Sequence, residues 1–124
     1  MVEDQTAFQQ LRWAIQALAA DADEQLGLFP SFVDKPHELV DDFDNWWRAT
    51  RWRESLGLSP AQVGALDAVQ RLVDALPPVV YTELAVRTDQ RWSELRIAAR
   101  SVARLFGWPP DLPPSGRSAY VEGS

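Results

Sequence analysis

"DDFDNWWRATRWRES", residues 41–55, gathers three aspartates, three tryptophans and three arginines into one short run. At 3.6 residues per turn, Leu39, Val40, Phe43, Trp46, Trp47 and Thr50 project onto one broad face. His37, Asp41, Asp44, Arg48 and Trp52 project onto the opposite face. The pattern predicts one amphipathic helix through the whole run. Asp34 is its expected N-cap, Pro36 is tolerated in its first turn, and Gly57 is its natural stop.

Upstream, Thr6 is a plausible N-cap for a helix reaching about Ala20, with Phe8, Leu11, Ile15 and Leu18 as its apolar stripe. Trp13 lies off that stripe beside Ala17 and Ala20, so this helix is expected to be covered on two sides. "LGLFPSFVDKP", residues 26–36, is too apolar for a solvated linker and too broken by Gly27, Pro30 and Pro36 for a helix. It reads as a loop tucking Leu28, Phe29 and Phe32 into the core, with a short strand at 26–29 as the alternative.

Downstream, Ser59 followed by Pro60 opens a third helix, with Val63, Leu66, Val69, Val73 and Leu76 as its stripe. Pro77 and Pro78 end it, because neither donates a backbone hydrogen bond. Residues 79–87 fit either a short helix or an extended piece. Thr88 or Asp89 begins a last helix, whose buried side holds Trp92, Leu95, Ala98, Ala99, Val102, Leu105 and Phe106 and whose stop is Gly107. The tail after Trp108 is proline-rich, so an extended course with mobile last residues is expected, Trp108 and Leu112 anchoring its beginning.

The fold class expected is therefore all-α, a single domain of four main helices over residues 1–108 and a proline-rich tail over 109–124. Bundle and irregular array both satisfy the pattern. Heptads are not sustained, which favours the array.

At 124 residues the chain can close one hydrophobic core. Its hydrophobic content of 46% is too high for disorder, and no apolar run approaches membrane-spanning length. The acidic start, Met-Val-Glu-Asp, lacks the basic and apolar regions of a secretory signal, and cysteine is absent. Both agree with a cytoplasmic protein. The formal net charge is −6, and eleven of the twelve basic residues are arginine. That balance disfavours nucleic acid, whose phosphates require a positive field, and favours a basic protein partner.

Three constellations are candidates for function. On the second helix, Asp41, Asp44, Arg48 and Trp52 form a partner-binding set, with Arg48 one turn before Trp52 and able to cover its ring. The competing reading covers Trp52 with loop or tail. His37 and Asp41, four residues apart, are weak metal candidates, because two ligands are too few for a site. Arg96, Arg100 and Arg104 recur every fourth residue as an anion-binding candidate, or else they complement the negative end of their own helix.

"LGLSPAQVGAL", residues 56–66, has the outline of a helix-turn-helix, but the helix it opens offers only Arg71 as a base. With one histidine, no cysteine, no strand-turn-helix serine motif and no glycine-rich phosphate loop, covalent and phosphate chemistry find no support. The expectation is a non-enzymatic protein-interaction domain without a cofactor, in its most concrete form a small acidic inhibitor of immunity type binding a basic partner. The alternative is a metal-dependent enzyme or ligand sensor using His37 and neighbouring carboxylates.

Overall fold

Local capping fixes most of the helix starts. The Asp34 carboxylate accepts from the His37 amide, and the Ser59 hydroxyl accepts from the Gln62 amide while the Gln62 side chain accepts from the Ser59 amide. Thr82 and Asp89 cap two further helices in the same way. Each bond satisfies an amide that the first turn leaves without a partner.

A computed structural model describes residues 2–114. Its helices are α1 (Val2–Ala19), α2 (Ala22–Gly27), α3 (Lys35–Thr50), α4 (Pro60–Asp74), α5 (Glu83–Thr88) and α6 (Gln90–Phe106). Single 3₁₀ turns occupy Glu54–Leu56 and Pro78–Val80. Four helices are long, two are short, and no strand occurs among the described residues. The chain is all-helical, as its periodicity predicts.

The stripes meet in one core. Leu11, Ile15 and Leu18 of α1, Leu39 and Phe43 of α3, Leu66 and Val69 of α4, and Leu95 and Val102 of α6 are all buried. α1 is the central element, packing on α3 and α6, while α6 also carries α4. α3 and α4 touch only lightly through their backbones. The space between them is filled by Trp47, fully buried, and bridged by polar side chains.

Several expectations need correction. α1 begins at Val2, so Thr6 lies inside it rather than at its cap. Trp13 is half-buried, and Phe32 and Leu105 are exposed rather than core. A helical turn over Ala22–Gly27 takes in the first two residues of the expected loop, which continues over 28–34 with no strand; Leu28 and Phe29 are buried as expected. The ambiguous 79–87 segment resolves into the 3₁₀ turn and α5. Trp46 packs only partly against the core, while Trp47 is its fully buried neighbour. Beyond α6, Trp108 stacks on Phe106 at 4.3 Å and meets Phe8 at 5.6 Å, and the Pro109 carbonyl accepts from the Gln16 amide at 3.1 Å. Leu112 is exposed, so Trp108 is the anchor. The extended course expected of residues 115–124 lies outside the described residues.

Candidate functional site

The opening run is not one helix. α3 stops at Thr50, and three residues explain the stop. The Arg51 amide closes the last α-turn onto the Trp47 carbonyl, and the Arg53 amide tightens to the Thr50 carbonyl. The Arg53 side chain donates to the Ala49 carbonyl while its guanidinium pairs with Asp4 of α1. The Asp4 carboxylate also accepts from the Ser55 hydroxyl, and these two bonds, Ser55 first, hold its pKa below the usual carboxylate value. A contact from α1 therefore pins the chain after α3 and turns it away from the helix axis. Gly57, in the left-handed region at φ 60°, ends the following 3₁₀ turn instead of α3.

Trp52 thus stands on a turn, 79% exposed. Neither loop nor the described tail covers it. Arg48, expected over its ring, instead pairs with Asp44 at 3.3 Å and points to solvent. The guanidinium that does cover Trp52 belongs to Arg51, 4.8 Å from the ring centroid. The same Arg51 lies 5.3 Å from the Trp47 ring and pairs with Asp67 of α4 at 3.3 Å. Asp67 also accepts from the Trp47 indole at 3.2 Å. A buried indole, a carboxylate and a guanidinium are therefore linked in series beneath the exposed indole. Each cation–π contact at such a site contributes about 0.5–1 kcal/mol. Beside Trp52 opens a shallow cleft of about 360 Å³, with Leu58 and Val63 as apolar wall and Arg53 and Glu54 at the rim.

The α3–α4 seam continues from this cleft to an acidic end. The Gln70 amide donates to both Asp44 (3.2 Å) and Asp74 (2.9 Å). One further turn back on α3 is Asp41, whose pKa is raised by burial first and then by Glu38, Asp44 and Asp34, against the opposing pull of His37. Burial, Asp41 and Asp74 raise the Tyr81 hydroxyl as well. Burial is the first cause of both shifts, and the neighbouring carboxylates add to it. Asp44, which projection set opposite the core, thus meets α4 across the seam, while Asp41 and Arg48 are exposed. Trp52 joins them around the helix end, and Arg51 is the residue that projection missed.

His37 does not turn toward Asp41 as a ligand pair. Its Nδ1 lies 2.8 Å from the Asp34 carboxylate and its ring stacks on Tyr81 at 4.2 Å. No group of three or more potential ligands gathers among the described residues.

The arginine stripe is divided in its duties. Arg96 donates to the Gln25 side chain and to the Val86 carbonyl, both at 3.0 Å. Arg100 donates to the Ala19 carbonyl at 2.8 Å and pairs with Asp21 at 2.9 Å. Arg96 thus ties α6 to α2 and α5, and Arg100 ties it to the end of α1 and the cap of α2. Arg104 donates only to Ser101, at 3.1 Å, among the described residues.

Among the described residues no helix is long and apolar enough to cross a membrane. Comparison with protein-family models, with curated proteins and with solved structures found no match.

Proposed function

We propose that this chain is a protein-interaction domain for a basic partner, with Trp52 as anchor and Asp41 and Asp44 as the steering charges. The exposure of Trp52 carries the reading: a tryptophan 79% in water, beside a cleft walled in part by Leu58 and Val63, over a guanidinium already tethered from beneath. Burying an indole in a partner is among the largest single contributions an interface gains. The Arg51–Asp67 tether reduces the side-chain freedom lost on binding. The acids some turns away raise the encounter rate with a positively charged surface without needing to be buried. Arg48 completes the contact surface between them. Size, acidity and a non-catalytic surface suit a small inhibitor of immunity type that sequesters a basic protein.

The test is site-specific photo-crosslinking in the native cell. A benzophenone amino acid replaces Trp52, and in a control replaces Ser93 on the exposed side of α6. A discrete adduct with one basic protein at position 52 but not at 93 supports the reading. Adducts of equal intensity at both positions, or none at 52, contradict it.

A further inference from the structure

A second cleft lies at the other end of the molecule, between the C-terminal ends of α1 and α6 and the chain leaving α6. Its volume is about 290 Å³, close to the roughly 300 Å³ lower bound of small-molecule sites. Ala19, Ala103, Trp108 and Pro109 supply an apolar lining, and the charged residues in that lining are Arg100 and Arg104. In a chain of net charge −6, a cleft lined by two arginines and no acid stands out.

Two helix C-termini should make this place negative, but the last carbonyls of α1 and two of those that end α6 already accept hydrogen bonds. Gln25 donates to the carbonyls of Ala17 and Leu18, and Arg100 donates to that of Ala19. At the end of α6 the Trp108 amide donates to Ala103 and the Gly107 amide to Arg104. Arg100 is further balanced by Asp21. The uncompensated charge is Arg104, whose guanidinium has five N–H donors and one partner, Ser101, among the described residues. One free guanidinium balances one negative charge, and its planar fork matches a carboxylate. The wall is also rigid: Trp108 is held by Phe106 and Phe8, and the Pro109 carbonyl by Gln16.

We propose that this cleft binds a small amphipathic monocarboxylate, a single ring or short acyl chain, with Arg104 holding the carboxylate and Ala19, Ala103 and Trp108 enclosing the apolar body. The site is independent of the Trp52 surface. The volume suits a body no larger than a ring or short chain, and one guanidinium without an acidic partner among the described residues favours a monoanion over a phosphate dianion.

Three probes test it: phenylacetate, the uncharged benzyl alcohol and inorganic phosphate, each titrated while the Trp108 indole N–H resonance is followed, assigned by its loss in Trp108→Phe. Phenylacetate should give a saturable shift, and benzyl alcohol and phosphate should bind at least about ten-fold more weakly, because each lacks one half of the recognition. Arg104→Gln should weaken phenylacetate by a similar factor. Ala20→Glu, which adds an acid to the lining without touching Arg104, should do the same. The spectra of both variants show that they are folded. Equal binding of phenylacetate by the wild type and by both variants overturns the proposal. So does a phosphate response as strong as that of phenylacetate, which marks an adventitious ion only, or no saturation by phenylacetate at millimolar concentration.

Discussion

Removing the Asp67 carboxylate tests the link beneath Trp52 most sharply. Asp67 does two things with one oxygen: it accepts from the indole of Trp47 and it pairs with Arg51. Trp47 is fully buried, so Asp67→Ala removes the acceptor of its N–H. An orphaned buried donor costs about 1–3 kcal/mol. The ion pair is another matter, since both partners are 31% exposed. It adds only about 0.2–1 kcal/mol. Asp67→Asn keeps an acceptor for the indole and loses only the pair, so it should fall in the smaller range. Urea unfolding with unchanged slope measures both. The decisive comparison repeats Asp67→Ala in the Trp47→Phe background, where no indole remains to be stranded. There its cost should shrink to that of the ion pair. If the cost is the same in both backgrounds, within the roughly 0.3–0.5 kcal/mol expected of independent sites, the indole bond stabilises nothing and the link is coincidental.

Other outcomes follow from the same geometry. Leu95, wholly buried on α6, should lose about 2–5 kcal/mol on substitution by alanine, read by chemical denaturation. Asp41 has its folded pKa raised, so its ionised form is less favourable in the folded than in the unfolded chain. Asp41→Asn should therefore raise the melting temperature at neutral pH, and the gain should fade as pH falls through the folded pKa toward the unfolded value. Asp4 has the opposite sign. Its stabilisation is present above the unfolded value of 3.8 and is lost as pH falls through the depressed folded value. Asp4→Asn should thus be destabilising at neutral pH and nearly silent in strong acid, as melting across the acid range will show.

The helix starts at Asp34, Ser59 and Asp89 and the stop at Gly107 were legible because each is settled by a few neighbouring residues. The end of α3 was not, because a carboxylate 49 positions away, on Asp4, draws Arg53 off the axis. Projection then placed Arg48 under Trp52, where Arg51 lies. α2 carried a readable sign, the Asp21–Glu24 spacing of a capping box, which the apolar run behind it obscured. Its buried Gln25 is stable only because Arg96, 71 residues on, satisfies its carbonyl. The same remote partnerships engaged Arg96 and Arg100 with α1, α2 and α5 and left Arg104 to Ser101 among the described residues, a division invisible to a four-residue period. What the sequence did disclose of the candidate site was its residue types: an indole, acids and arginines on the side away from the core.

The central claim is that Trp52 serves a partner and not the fold. Trp52→Ala should leave the free energy of unfolding within about 1 kcal/mol of the wild type, since it removes only a surface cation–π contact with Arg51. The same variant should nevertheless bind the protein crosslinked at position 52 more weakly by about 2 kcal/mol, roughly 30-fold in dissociation constant. A large loss of stability with unchanged affinity would contradict the account, and Trp52 would then belong to the packing of the turn that follows α3.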